Sequence, residues 1–141
     1  MSDRGHAAVE LALAIGVLLL PAALAVLAFG PWSERRVAAE AIAAEAARAA
    51  VLQLDLRAGE TAAEAQASSL GLDVGIWRIG WCGAAPALGS AGACGFTRGG
   101  VVSVAVDVWT PLIATPWGDV GGLWVGADHT EPIDLYRSLG P

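Results

Sequence analysis

The stretch LALAIGVLLLPAALAVLAFGPWS, Leu11 to Ser33, contains no charged side chain, and Leu, Ala, Val and Ile dominate it as far as Phe29. At a helical rise of roughly 1.5 Å per residue, about 20 such residues cross the roughly 30 Å hydrocarbon core of a bilayer. A buried helix of a small soluble domain seldom needs that length, so the stretch reads as a single membrane-spanning helix. Pro21 removes one backbone donor inside it and is expected to kink it. Trp32 stands where an amphipathic ring meets lipid headgroups, which places the exit between Gly30 and Ser33. Arg4 and the amino terminus precede the run while Arg35 and Arg36 follow it, offset in part by Glu34, so positive charge alone leaves the orientation open.

Composition agrees with this division. The chain has 141 residues, room for one domain, and an apolar fraction of 55%, too high for a disordered polypeptide. Its eight basic residues are all Arg, scattered from Arg4 to Arg137, against fourteen acids, for a net charge of −6. Phosphate neutralisation needs clustered cations, so nucleic acid is excluded as a partner.

One carboxylate breaks the apolar pattern. Glu10 sits at the mouth of the run, where an ionised side chain costs about 2.5–3.5 kcal/mol if it reaches the bilayer centre without a partner. The surrounding Arg4-Gly5-His6-Ala7-Ala8-Val9-Glu10-Leu11-Ala12-Leu13 resembles the leader junction of type IV pilin-like proteins, in particular the TadE-like family of tight-adherence pilus systems. The likeness continues more loosely through the Ala- and Arg-rich segment after the helix, a Val-rich strand and the ending Pro132-Ile133-Asp134-Leu135-Tyr136-Arg137-Ser138. The family commonly has Phe after the glutamate, where this chain has Leu11.

The resemblance implies cleavage by a prepilin peptidase between Gly5 and His6 on the cytoplasmic side. It thereby divides the chain into a leader peptide (1–5), a transmembrane helix (6–32) and an extracytoplasmic α+β pilin-like domain (33–141). It also implies a role for Glu10: the carboxylate would pair with the free terminal amine of a neighbouring subunit, so that two costly membrane charges neutralise each other during assembly. Small residues at Ala7, Ala8, Ala12, Ala14 and Gly16 would let neighbouring helices approach closely. The expected partners are other pilin subunits, the peptidase and the lipid bilayer.

Beyond the membrane, Glu34 to Arg57 reads as a continuation of the helix, Ala-rich, with Ser33 able to cap its start and Glu45 and Arg48 one turn apart. Val37, Ile42, Val51, Leu52, Leu54 and Leu56 give it a partial apolar face. Thr61 and Glu64 have capping-box spacing ahead of a second helix, Ala62 to Leu70, stopped by Gly71. The period then changes. Ile76 to Ile79 has strand composition, and from Val101 to Trp109 the residues Val102, Val104, Val106 and Val108 share one face, with Ser103, Ala105 and Asp107 on the other. Pro111 and Pro116 are expected to end regular structure, and Ile133 to Tyr136 to add a last edge strand. The fold expected is α+β: a long N-terminal helix followed by a small antiparallel sheet.

Cys82 and Cys94 bound a loop rich in Gly, Ala and Pro. If this part is exported, an even cysteine count favours a disulfide, and closing about 13 residues is worth on the order of 3 kcal/mol in the loop-entropy model. With eleven residues between them and no His nearby, a metal site or redox pair is disfavoured. The six Trp all follow the spanning run. Most are expected in the core, with a minority facing a partner.

No catalytic or metal residue and no cofactor is expected. Asp128-His129-Thr130-Glu131 is the strongest candidate cluster, but it lacks a nucleophile or third ligand at recognisable spacing and reads as a solvated polar loop. The leading reading is therefore structural, a minor pilin or pilin-like assembly component. Its rivals are a secreted or membrane-tethered binding module and a small exported hydrolase. Either would be exported by a signal peptide cut after Ala23-Leu24-Ala25, giving a chain that starts near Val26.

Overall fold

The computed structural model describes residues 4–89, 92–115 and 117–136, and the side chains within them except at 4–8, 27–28 and 113–115. Two helices and three strands follow one another as α1 (Arg4–Gln53), α2 (Leu56–Ser69), β1 (Trp77–Trp81), β2 (Val101–Thr115) and β3 (Gly118–Pro132). The strands form one antiparallel sheet in the order β1-β2-β3. The α+β architecture expected from the sequence is thus present, with the long apolar helix, the small sheet and the disulfide.

Helix α1 is 50 residues long and runs through both Pro21 and Pro31. Ser33 does not cap a helix start, because none exists there; its Oγ donates to the Gly30 carbonyl at 2.8 Å inside the continuous helix. Among the described residues of this helix an ion pair joins Arg36 to Glu40 at 3.2 Å, on the exposed side, and none joins Glu45 to Arg48.

The helix ends earlier than the expected Arg57. Leu54 turns into the left-handed region (φ 54°), and Asp55 then caps α2, its carboxylate accepting from the Arg57 amide at 3.0 Å. An Asp at an N-cap satisfies an otherwise orphan donor, and Leu54 packs against the core, which holds the break in place. Thr61 consequently lies inside α2, not at its start, and its hydroxyl donates back to the Arg57 carbonyl at 3.0 Å. The helix closes where expected: Gly71 (φ 69°) allows a Schellman turn, with Leu72 N–H bonded to Ala67 O at 2.9 Å and Gly71 N–H to Ser68 O at 3.0 Å.

The core lies between α1, α2 and one face of the sheet. Val102, Val104, Val106 and Val108 are all fully buried, as their alternation predicts. Opposite them α1 presents chiefly alanines: Ala39, Ala43, Ala46, Ala47 and Ala50, together with Ile42 and Val51. The partial face expected from larger side chains is only half correct, since Val37 and Leu52 point outward. Small residues win here because α2 brings its own stripe, Gly59, Ala63 and Ala67 at four-residue spacing, into close contact. A Cβ on Gly59 would meet the Trp81 ring, and would lie 2.8 Å from the Ala46 carbonyl.

Two expectations about the C-terminal third are corrected. Pro111 does not end β2. Trp109 N–H bonds to Ile76 O at 2.8 Å, so amides of the same parity face the β1 side. β1 stops at the pairing of Trp77 with Val108, and Pro111 lies beyond it, where no donor is required. The last strand is Gly118–Pro132, in register with the whole of β2, and Ile133 to Tyr136 is not a strand. Ile133 is nevertheless buried and holds Gly100 and Gly99 through two backbone bonds.

Candidate functional site

The two halves of α1 have opposite environments. From Ala39 onward the helix is covered by α2 and the sheet, whereas from Val9 to Gly30 it has no buried side chain among the described residues. Leu13, Leu18 and Val26 are each about two-thirds exposed or more (67%, 73% and 73%). This helix is long and apolar enough to cross a membrane.

Glu10 is on the exposed helix among Val9, Leu11 and Leu13, without an ion pair or hydrogen bond among the described residues. Gly5 and His6 lie in the first turns of α1, and residues 1–3 of the expected leader fall outside the described residues. At 100° per residue the expected small-residue set divides between two faces. Ala12 and Gly16 share one at four-residue spacing, while Ala14 shares the face of Glu10, and the side chains of Ala7 and Ala8 lie outside the described residues. A side chain added at Gly16 would meet nothing within 4 Å.

At the end of the apolar run the aromatic belt expected of Trp32 is more extensive than the sequence reading gave. The Phe29 and Trp32 rings stand 5.3 Å apart, and the Arg36 guanidinium lies 5.9 Å from the Trp32 ring centre. Aromatic ring and cation one turn apart suit a headgroup boundary, where one end of the cluster is apolar and the other wet.

Cys82 and Cys94 form a disulfide with Cα atoms 5.5 Å apart. The loop it closes is not merely slack to be stapled. Ile79 and Ala87 exchange two backbone hydrogen bonds, of 3.3 and 3.2 Å, so the loop covers the outer edge of β1. Gly80 lies where any Cβ would meet the carbonyl of Ala84, which is why the loop can fold back there.

The expected core of tryptophans is largely corrected. Among the described residues only Trp81 is fully buried; Trp32, Trp77, Trp109 and Trp124 are half-buried and Trp117 is exposed. Trp109 and Trp124 pair across β2 and β3 on the outer face, edge to face at 5.3 Å. The Arg78 guanidinium lies 4.2 Å from the Trp124 ring centre while its Nη2 sits 2.7 Å from Asp107. The sequence reading missed this group, although two strand glycines signal it: Gly122 lies under the Trp109 ring and Gly126 under the Asp107 carboxylate.

Asp128, His129, Thr130 and Glu131 are not a loop but part of β3. The pleat separates them: His129 and Glu131 share the face of Val104 and Val102, with Nε2 and Oε2 3.3 Å apart, while Asp128 and Thr130 take the other. The neighbours in sequence are thus not brought together as an acid, a base and a ligand. Among the described residues no group of three or more His, Cys, Asp and Glu side chains could hold a metal ion.

Fold and site together define a class: a small α+β domain with a disulfide, carried on one continuous apolar helix whose first half the domain leaves uncovered. Comparison with protein-family models, with curated proteins and with solved structures finds no match.

Proposed function

We propose that this chain is a minor pilin or pilin-like assembly component of a tight-adherence (Flp-type) pilus, anchored in the cell membrane by α1 and assembling through it. The domain lies outside the cytoplasm and the chain is processed after Gly5. The observation that carries this reading is the uncovered half of α1, with Glu10 placed among apolar side chains at its start. An apolar helix surface of this length needs lipid or other helices, and a carboxylate on it becomes inexpensive only next to a positive charge. The terminal amine of a neighbouring processed chain supplies one. Ala12 and Gly16 on another face give a surface on which helix backbones can approach.

The test separates insertion from assembly. Glu10→Gln should remain membrane-embedded after alkaline extraction yet disappear from the sheared pilus fraction and from co-purification with the other pilus subunits. Incorporation of that variant at the wild-type level would remove the pairing mechanism. N-terminal sequencing of the mature protein supplies the second check: a start at His6 supports processing after Gly5, and a start near Val26 supports export by signal peptidase instead.

A further inference from the structure

The hairpin formed by β2 and β3 is longer than the rest of the sheet. Past Val108, β2 pairs with β3 alone, and the two strands continue to the pairing of Thr115 with Gly118. Their direction follows from packing. Trp81, paired with Val104, sits over Gly59 and near Ala46, far along α1 from the apolar run. Pro111, seven residues on from Val104, lines a cleft with Pro31, Glu34, Arg35 and Ala38. β2 therefore runs back along α1 toward its uncovered half. The four residues after Pro111, as far as Thr115, add about 13 Å at roughly 3.3 Å each. Measured down α1 at roughly 1.5 Å per residue, that reaches from the level of Glu34 past Trp32 and into the apolar run.

The tip has the composition this position calls for. Between Pro111 and Leu123 only Asp119 is ionisable. Trp117 is 93% exposed, Leu112 62% and Val120 59%, so the domain leaves most of the surface of these three side chains uncovered. Away from the tip, ionisable side chains return at Asp107 on β2 and at Asp128, His129 and Glu131 on β3, and on α1 they begin again at Glu34. Two elements that are remote in sequence are thus both poor in charge toward the same end of the molecule. Isolated exposed apolar residues are ordinary, but a tip whose one ionisable side chain is Asp119, flanked by exposed Trp117 and Val120 and directed toward the uncovered half of α1, is not.

We propose that the hairpin tip, through Leu112, Trp117 and Val120, enters the headgroup and upper acyl region of the bilayer that α1 crosses. The inference rests on the reading of α1 as a membrane span. It gives the domain a second lipid contact, with Trp117 acting as an interfacial anchor beside the Phe29 and Trp32 belt. A helix alone leaves the domain free to swivel about one axis; a second contact sets which face of the sheet looks along the membrane.

Both native cysteines are in the disulfide, so a single added cysteine can carry a nitroxide without reduction. The full-length protein is reconstituted in phosphatidylcholine and phosphatidylglycerol vesicles as Trp117→Cys, Val120→Cys, Leu18→Cys and Val101→Cys. Collision rates of each label with oxygen, which concentrates in lipid, and with a water-soluble nickel chelate are then compared. The oxygen-to-nickel ratio should be several-fold higher at 117 and 120 than at 101, which lies at the far end of β2, and highest at 18. Labels at 117 and 120 as water-exposed as that at 101, with 18 still in lipid, would overturn the hairpin inference and leave the anchor standing. Spin–spin broadening at the tip that vanishes on dilution with unlabelled protein would assign it to a second copy, and also overturn the inference. A water-exposed label at 18 would remove the membrane anchor and the hairpin contact with it.

Discussion

Gly59→Ala sets two effects of known sign against each other. In an exposed helix interior the change is favourable by up to about 1 kcal/mol, because glycine has the more flexible unfolded chain. At Gly59 the added methyl would meet the fully buried Trp81 ring, lie 2.8 Å from the Ala46 carbonyl and 3.0 Å from the Ala50 Cβ. None of the three can give way cheaply: one is backbone, one is on a packed helix, and the indole is enclosed. Overpacking of this kind costs typically 1–3 kcal/mol, so packing outweighs propensity and the net change is a loss of about 1–2 kcal/mol. For a domain of this size each kcal/mol moves Tm by about 4–8 °C, giving a fall of the order of 5–15 °C. The assay is thermal unfolding of the full chain in detergent, followed by tryptophan fluorescence so that the membrane helix does not dominate the signal. Ala65→Gly on the exposed side of α2 is the control and should cost up to about 1 kcal/mol by propensity alone. A Gly59→Ala protein as stable as wild type, or more so, would refute the close α1–α2–Trp81 packing.

Other perturbations test other parts of the fold. Reducing the disulfide should cost on the order of 3 kcal/mol, and in hydrogen exchange the amides of Ile79 and Ala87 should lose protection before those of the β2–β3 ladder; uniform loss would mean the loop does not guard the β1 edge. Thr110 is buried with a hydroxyl that has no hydrogen-bond partner among the described residues, so Thr110→Val should raise stability by about 1 kcal/mol in denaturant melts, and a loss would reveal a partner. Asp107→Asn should cost no more than about 1 kcal/mol, because its pair with Arg78 is partly open to solvent, and the cost should shrink at high salt. A cost that salt leaves unchanged would show that the group acts through packing.

Those features that depend on composition over a long window were legible in the sequence. The apolar half of α1 and the valine face of β2 each repeat one signal many times, so no single competing contact could override them. Single-residue decisions were less readable. The end of α1 depends on Asp55 finding the Arg57 amide and on Leu54 accepting a left-handed backbone, and neither shows in an Ala-rich helical pattern. The alanine core does not stand out in the sequence, where larger side chains carry the apolar pattern, although α2 has a matching Gly-Ala-Ala stripe that makes alanine the better fit. β3 was missed because Gly118, Gly121, Gly122 and Gly126 weaken its strand signal. At least two of these glycines are seats for side chains of β2, a requirement that exists only once the strands have paired.

The edges of the sheet bear on how such a chain could assemble. One edge, β1, is closed by the loop that the disulfide holds through Ile79 and Ala87. The other, β3, has no strand beside it among the described residues and is 15 residues long, and an edge of that length would ordinarily invite strand pairing with another chain. Asp119, Asp128 and Glu131 are spread along it in a chain of net charge −6, so two copies brought edge to edge would oppose like charges. That leaves the uncovered face of α1 as the surface better suited to meeting another copy, because helices in lipid associate through close backbone approach and polar pairing, without needing an open edge. If assembly follows that route, Lys introduced at Asp128 should leave incorporation into the pilus fraction unchanged, while Leu introduced at Gly16 should reduce it. The reverse pattern would place the contact on the sheet edge and make α1 an anchor only.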